Sequence, residues 1–565
     1  MLEVRLMEKL YKALIQAILA SVLLLLSAEP ANPAPGSHVT NLDGTGYVGN
    51  GACARCHSSI YHSYTSTAMA RASGPARENL IPADFFHLKS GVHYRIYSED
   101  NRIWLSFKRP GDPAVHGKRE LLYYIGSGRR GLTYLFAIDG FVFESPINWY
   151  AKAGMWDMTP AYQNAHEAPL NLPTFTSCLR CHVSGMQPPL KGTDNYYRMP
   201  VFAFSGITCE ACHGPGGAHV KGGGIINPAK LSPDRRDAIC MECHLEGKVG
   251  IERRGRHVYD FRPGEALSDY IRHYLLIGGP TNRLGAVSEV EALTQSMCKK
   301  KTGNVMSCTS CHDPHYSPSP QQRASYYREK CLACHGGNLG SEHHADQPDC
   351  TTCHMPSILS TDVAHTQVTD HRIPRRPQLS RPRESVGSPT PRLRLVPFPY
   401  SEEAEHDVRD LALAWESLAE AGMDAADEEA GQLLRSAMAH SPDDPVILSA
   451  FGYLEQRRGA VDHARELYQK ALALDPTLID AATNLGVIEA KSGHWAKAVR
   501  FWKDAFQRAP GRSGVGMNIV RAFCGVREFD EARSNTLRIL EFNPDMGDAK
   551  ELLRYLNHTP ASCGP

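Results

Sequence analysis

The stretch Cys209-Glu-Ala-Cys212-His213-Gly-Pro-Gly-Gly-Ala-His219 contains the pattern that decides how this chain folds. Two cysteines stand three positions apart, and a histidine follows the second one at once. The same five-residue pattern occurs seven times, beginning at Cys53, Cys178, Cys209, Cys240, Cys308, Cys331 and Cys350. The composition, with 17 Cys and 26 His in 565 residues, predicts roughly 0.02 such runs by chance. One chemical requirement is therefore repeated seven times along this chain.

Covalent attachment of haem c is the chemistry that needs this spacing. Two thiols three positions apart reach the two vinyl groups on one edge of a porphyrin, and the adjacent histidine becomes an axial iron ligand. Zinc ribbons and thioredoxin-like pairs also use Cys-x-x-Cys, but they do not require a histidine after each pair. We predict seven haem c groups attached to Cys53, Cys56, Cys178, Cys181, Cys209, Cys212, Cys240, Cys243, Cys308, Cys311, Cys331, Cys334, Cys350 and Cys353. The predicted proximal iron ligands are His57, His182, His213, His244, His312, His335 and His354.

The seven motifs define a predicted haem domain over residues 47–371. The motifs that begin at Cys178, Cys209 and Cys240 are each 31 residues apart, and the last three motifs are closer still. Seven macrocycles in so short a segment must supply much of its core. We therefore expect little regular secondary structure there, and neighbouring haems close enough for electrons to pass between them.

Thirteen further histidines between residues 53 and 371 could supply sixth iron ligands. His219 and His315 follow their motifs through turns that contain Gly214-Pro215 and Pro314, and such turns fold the chain tightly over a porphyrin. For the first haem, His62 and Met69 are both within reach on a helix, and Met69 is equally compatible with core packing. A methionine ligand would raise that haem's potential. The candidate distal ligands are His219, His315, His365, His371, His166, His273 and Met69.

At these motifs the sequence resembles the multihaem cytochrome c-552/4 family, over about residues 47–375. The resemblance rests on residues 209–219, on Cys308-Thr-Ser-Cys311-His312-Asp-Pro-His315, and on the terminal pair His365 and His371. It implies predominantly bis-histidine haems, electron transfer, and distal roles for His219, His315, His365 and His371. This chain has more haem motifs than the better-known members of that family. It also lacks the Cys-x-x-Cys-Lys motif of many pentahaem nitrite reductases.

Between the first two motifs lies an insertion that is predicted to be β-rich, over residues 85–150. It contains runs of β-branched and aromatic residues, and Asp139-Gly140 between two apolar runs is typical of a tight hairpin. Packing beside the first haem is the expected role of this insertion. Residues 372–400 hold seven Pro and seven Arg without a hydrophobic period, which predicts a semi-extended linker.

The C-terminal part of the chain has an internal period of 34 residues. Pro442, Pro476, Pro510 and Pro544 recur at that spacing, which is the period of tetratricopeptide repeats (TPR). Gly452 and Gly486 occupy the close-packing position of the first helix in the two middle repeats, which resemble the tetratricopeptide family most. We predict a TPR array of about four repeats over residues 405–558. The fold class is thus mainly α: a multihaem domain with a small β-rich insertion, followed by an α-solenoid of helix pairs.

The first 28 residues predict export of the chain. Arg5, Lys9 and Lys12 precede an apolar run that continues to Ala28, which is typical of a signal peptide and short for a spanning helix. An uncleaved N-terminal anchor is the alternative, and only then would the protein be attached to a membrane. Covalent attachment of haem c outside the cytoplasm agrees with a periplasmic or otherwise exported protein.

Charge and cysteine chemistry together favour an electron carrier. Lys plus Arg and Asp plus Glu number 61 each, and this balance predicts no nucleic-acid partner. Residues 401–565 hold 18 basic and 27 acidic residues, so the repeat array is acidic and the haem domain basic. We expect an exported multihaem c-type cytochrome whose TPR module docks a redox partner protein. Packing of the array on the haem domain, or dimerisation through it, is the alternative role of the array. The alternative is an oxidoreductase that acts on a small nitrogen or sulfur compound at one five-coordinate haem; no catalytic residue is predicted.

Overall fold

The fold is described from a computed structural model, which covers residues 46–278, 284–336, 349–375, 393–558 and 563. The predicted signal peptide or anchor, residues 1–28, lies outside the described residues. Within the described parts of the chain, every helix is too short or too polar to span a lipid bilayer.

A β-rich region follows the first motif, as the sequence predicts, and extends beyond the predicted limits on both sides. Its strands are β1 (Ser73–Pro75), β2 (Ala83–His87), β3 (Val92–Glu99), β4 (Arg102–Arg109), β5 (Asp112–Leu121), β6 (Tyr123–Ile125), β7 (Gly131–Ile138), β8 (Phe141–Glu144), β9 (Ile147–Tyr150) and β10 (Met155–Met158). Strands β2 to β5 form an antiparallel sheet in chain order. A second sheet has the order β1-β6-β7-β9-β10, and β8 pairs with β7.

Alternation of apolar side chains explains why these segments are strands. Val92, Tyr94 and Ile96 of β3 are buried while their neighbours are more exposed, and this period of two places one face of the strand on the core. The predicted hairpin is confirmed: Ile138 pairs with Phe141, and Asp139 and Gly140 both have positive φ, at 50° and 84°. Two positive φ values are what a type I′ turn requires.

The haem region outside these sheets consists of short elements. Its helices are Asn50–Ala54, Ser58–Thr65, Thr176–Leu179, Cys209–His213, Pro233–His244, Glu289–Gln295, Met297–Thr302, Arg323–His335 and Thr351–His354. Its strands are β11 (Ser184–Met186), β12 (Phe202–Phe204), β13 (Val249–Glu252), β14 (Ile271–Ile277), β15 (Ser357–Leu359) and β16 (Gln367–Thr369). Most of these elements span one or two turns or a single strand pair, which agrees with the prediction of little regular structure.

The C-terminal part is an array of antiparallel helix pairs, as the 34-residue period predicts. After the short helix Glu402–Glu405, its helices are Val408–Glu420, Ala426–His440, Pro445–Arg457, Val461–Leu474, Ile479–Lys491, Trp495–Arg508, Ser513–Gly525, Phe529–Phe542 and Gly547–His558. Gly486 lies against the ring of Trp502 so closely that an added Cβ would lie 2.5 Å from Nε1. The small residue at this position therefore sets the distance between the paired helices.

The repeat array is packed directly on the rest of the molecule at both of its ends. Tyr274 of β14 and Leu395 belong to the apolar core of the first repeats, and Phe542 of the last repeat pair is buried in the core of the β-rich region. The strand β17 (Arg394–Phe398) pairs with β14. The end of the predicted linker is thus part of a sheet, because its Leu395 and Pro397 have an apolar surface to cover.

Candidate haem-binding sites

Each motif lies on a helical turn or at the end of a helix. In three motifs the histidine amide donates to the carbonyl of the first cysteine, at 2.9 Å for His57, 3.0 Å for His312 and 3.0 Å for His354. This bond closes one α-helical turn, so the first thiol and the imidazole project from the same side of the turn. The local fold therefore presents the thiols and the ring together, as attachment of one porphyrin requires.

Three motif histidines face a second histidine across a gap. The ring centroids are 6.4 Å apart for His57 and His219, 6.0 Å for His213 and His315, and 6.2 Å for His312 and His371. The corresponding interplanar angles are 16°, 14° and 37°. Two imidazoles bound trans to one metal, each through a bond of about 2.0 Å, have centroids about 6.3 Å apart. These gaps fit one iron atom with an axial imidazole on each side.

Backbone carbonyls orient several of these rings. The carbonyl of Ile226 lies 2.9 Å from Nδ1 of His213, and the carbonyl of Pro374 lies 2.9 Å from Nδ1 of His354. Nδ1 of His219 and Nδ1 of His371 lie 3.1 Å and 2.9 Å from the carbonyls of Gly223 and Thr369. A ring that donates a hydrogen bond from Nδ1 keeps a lone pair on Nε2, and this lone pair can bind a metal. Metal-binding histidines usually make such a hydrogen bond through their other ring nitrogen.

The motifs also lie side by side in pairs. Four pairs of thiols lie close together, namely those of Cys53 and Cys209, Cys181 and Cys243, Cys240 and Cys308, and Cys331 and Cys350. Each pair comes from two different motifs, and the motif that begins at Cys240 belongs to two pairs, one with the motif at Cys178 and one with the motif at Cys308. Because each thiol marks one edge of its porphyrin, the attachment edges of neighbouring haem sites adjoin one another.

Apolar surface near the motifs is left uncovered by protein. The helix Arg323–His335 has no buried residue along its 13 positions, although helices in proteins depend on packing for most of their stability. Large apolar side chains close to the motifs are exposed, among them Ile60, Phe175, Val220, Met297 and Val305. A porphyrin is an apolar disc of the kind that would cover such side chains. The surroundings of the motifs therefore fit covalently bound haem.

The remaining candidate ligands lie elsewhere. His57 faces His219 and not Met69 or His62, because the segment after the third motif brings His219 over the first one. His365 contacts Asp157 of β10, with 2.8 Å between Nε2 and the carboxylate oxygen, and it faces no motif histidine.

His166 lies at the surface near the β-rich region, and His273 lies near Arg180 of the second motif. His166 is exposed and lies near His87 of the β-rich region. His273 is buried on β14, and burial, with the nearby Arg180 guanidinium, lowers its pKa to about 4. Its ring is therefore neutral at physiological pH.

Glu210 is a structural residue that sequence reasoning missed. Its carboxylate is buried inside the third motif and accepts hydrogen bonds from the amides of Val48, Gly49 and Gly216, at 2.9, 2.7 and 2.7 Å. It thereby ties the start of the first motif's helix to the loop that carries His219. The sequence feature that could have indicated this role is an acidic residue between the two cysteines of a haem motif.

Comparison with family models matches two parts of the haem region. The model of the doubled CXXCH motif matches residues 301–339, and the model of cytochrome c554 and c-prime matches residues 150–214. The chain is a multihaem c-type cytochrome. The matched segments of this cytochrome contain four of its motifs, those that begin at Cys178, Cys209, Cys308 and Cys331.

Two curated proteins are similar to parts of the cytochrome. The multiheme cytochrome MtrA of Shewanella baltica is 29% identical over 217 residues, which are 34% of this chain and 63% of MtrA. The dissimilatory sulfite reductase MccA of Wolinella succinogenes is 25% identical over 182 residues, which are 28% of this chain and 23% of MccA. The matched part spans less than two thirds of either relative.

Solved structures are similar to about a quarter of this chain. MamA of Desulfovibrio magneticus, residues 41 to the end, aligns with 26% of this chain and 83% of its own length, at 18% identity and a TM-score of 0.23.

Proposed function

We propose that this cytochrome is an exported electron carrier in which seven closely spaced haems conduct electrons and the repeat array presents a surface to a redox partner. The observation that carries the proposal is the set of three facing histidine pairs. An iron with imidazole on both sides has no open position for a substrate, so it exchanges electrons only. The similarity to multihaem cytochromes supports the electron-transfer part of this proposal.

The distal ligands in this proposal come from the segments that follow other motifs. His219 follows the third motif and serves the first, His315 follows the fifth and serves the third, and His371 follows the seventh and serves the fifth. An iron held by any one of these histidine pairs would therefore link two motifs that are distant in sequence. This arrangement keeps the distance and orientation between neighbouring haem sites fixed, and a fixed geometry supports electron transfer between them.

Substitution of the facing histidines tests the ligand assignment. His219→Ala, His315→Ala and His371→Ala each remove one axial ligand, so each purified holoprotein should gain one high-spin haem in its EPR spectrum. His365→Ala and Met69→Leu are the matched controls, because these side chains face no motif histidine, and their spectra should equal that of the unchanged protein. A high-spin haem in the His365→Ala protein, with none in the other three, would overturn the assignment.

A second function is favoured by a specific observation. Among the described residues, no histidine ring faces His182 or His244 as His219 faces His57, and the relative MccA is named as a sulfite reductase. An iron with an open position would act on a small nitrogen or sulfur compound. A high-spin haem in the unchanged protein whose spectrum shifts with sulfite, nitrite or hydroxylamine would support this function over the carrier.

A further inference from the structure

A carboxylate reaches the ring of His244, the proximal histidine of the fourth motif. Glu289 begins the helix Glu289–Gln295, and its Oε2 lies 3.6 Å from Nδ1 of His244. That oxygen is buried and has no hydrogen-bond donor, whereas Oε1 accepts from Arg130 at 3.4 Å. Oε1 of Glu289 is therefore held by Arg130, and Oε2 lies near the ring of His244 without a hydrogen bond to it.

The environment of Nδ1 in His244 differs from that of Nδ1 in several other proximal histidines. His213 and His354 have neutral backbone carbonyls at Nδ1, and His312 has the hydroxyl of Tyr327 at 3.3 Å. Within the part of the chain that the structure describes, His244 has a carboxylate next to this nitrogen, whereas His182, His213 and His312 do not. The fourth motif is thus electrostatically distinct from its neighbours.

The chemistry of the pair follows from how a histidine binds iron. Coordination through Nε2 leaves the Nδ1 proton as the ring's only hydrogen-bond donor. An anionic acceptor at Nδ1 makes the imidazole a stronger donor to the metal, which stabilises ferric over ferrous iron. A carbonyl acceptor does this less, because it carries no net charge.

We propose that Glu289 is a positioning residue that accepts a hydrogen bond from Nδ1 of His244. This hydrogen bond lowers the reduction potential of the fourth haem site below those of its neighbours. The proposal rests on the function proposed above. The fourth motif contacts the second, with 3.9 Å between Sγ of Cys243 and the carbonyl of Arg180, and its Cys240 lies close to Cys308 of the fifth. Glu289 therefore acts where two pairs of haem sites meet, and the fourth site is the last of them to be reduced.

Spectroelectrochemical titration of the holoprotein tests this proposal. Glu289→Gln keeps the shape and the acceptor but removes the charge, so one component of the titration should move to higher potential. We expect at least a tenfold change in the reduction constant of that site, which is 59 mV for one electron. Glu289→Asp keeps the charge and should return the component towards its original potential.

The matched control is Glu291→Gln, the same chemical change two positions further along the helix. The carboxylate of Glu291 is also buried, but it accepts from the amides of Glu246 and Gly247 and not from a histidine. Its substitution should leave every component in place. An equal shift in the Glu291→Gln protein would overturn the proposal, because it would show a general effect of lost charge.

Arg130→Gln supplies a second test that does not depend on how well Glu289→Gln assembles. Arg130 is half exposed, and its removal leaves the charge of Glu289 uncompensated, so the same component should move to lower potential. Unchanged potentials in the Arg130→Gln and Glu289→Gln proteins would overturn the role of Glu289. The carrier function is judged separately, from the spectra of the His219, His315 and His371 variants.

Discussion

Asp545 shows how single residues join the repeat array to the β-rich region. Its carboxylate is almost fully buried and accepts from the guanidinium of Arg109, from Nζ of Lys550 at 2.8 Å and from the amide of Ala168 at 2.8 Å. A buried carboxylate needs such partners, because desolvation would otherwise be too costly. The aspartate follows Pro544, the last member of the 34-residue period.

Asp545→Asn should destabilise the protein by about 2–3 kcal/mol, because it leaves two cations without their shared buried anion. The measurement is the free energy of unfolding from denaturant titration, followed by far-UV circular dichroism. Asp548→Asn is the control, because Asp548 is exposed and its carboxylate lies 3.5 Å from the guanidinium of Arg521. This substitution should change the free energy of unfolding by less than about 0.5 kcal/mol. Equal effects of the two substitutions would contradict the role given to Asp545.

At the scale of the element, the repeat helices pair through small residues. Ala430, Ala464, Ala498 and Ala532 are fully buried in the second helices of the four pairs. Gly452 and Gly486 in the first helices lie against Tyr468 and Trp502 of the second helices. In the last pair Val520 occupies the corresponding position, and Gly516 approaches Ile539 of the partner helix instead. The close contact is thus kept while the residue that makes it moves by one helical turn.

Gly486→Ala should cost about 1–3 kcal/mol, because the added methyl group must displace the ring of Trp502. Thermal unfolding followed at a helix-sensitive wavelength measures the effect. Gly514→Ala is the matched control: its added methyl group meets no atom within 4 Å, and alanine in a helix is favoured over glycine by up to about 1 kcal/mol. A Gly486→Ala protein as stable as the Gly514→Ala protein would argue against the close helix contact.

At the scale of the whole molecule, ion pairs join the first repeats to the haem region. Arg253, next to β13, contacts the carboxylates of Asp407 and Asp410, and Nε of the adjacent Arg254 lies 3.7 Å from the carboxylate of Asp444. Asp410 and Asp444 are buried. Together with the packing of Leu395 on the same core, these contacts make the array part of the main body.

Acidification should loosen this contact. Burial raises the pKa of Asp407, but the hydrogen bond and charge of Arg253 outweigh it, so the pKa lies below its ordinary value of 3.8. A carboxyl group with a lowered pKa stabilises the fold above its unfolded pKa, and the stabilisation is lost as the pH falls through the folded value. The thermal midpoint should therefore fall as the pH drops from 5 to below 3.8.

The Asp407→Asn protein should lose part of that acid-dependent decline. Asp462→Asn, at an exposed ion pair of the second repeat pair, should leave the decline as it is in the unchanged protein. The same pH dependence in all three proteins would contradict the contribution of Asp407.

The sequence by itself determined the features whose causes lie within a few residues. A thioether-linked haem needs both thiols and the histidine inside five positions, so the attachment chemistry could be recognised in each motif. The repeat array could be recognised because every unit buries the same small residues at the same period. The hairpin at Asp139-Gly140 is equally local, since two adjacent residues must adopt positive φ.

Only the tertiary structure decided which histidines face one another and where the array lies. His57 and His219, or His213 and His315, are far apart in sequence, and no local pattern distinguishes His315 from His365 as a facing partner. The folded chain brings one to a motif histidine and the other to Asp157. The roles of Glu289 and Asp545 could likewise not be predicted from the sequence, because a carboxylate acquires its role from the cations and rings that distant segments bring to it.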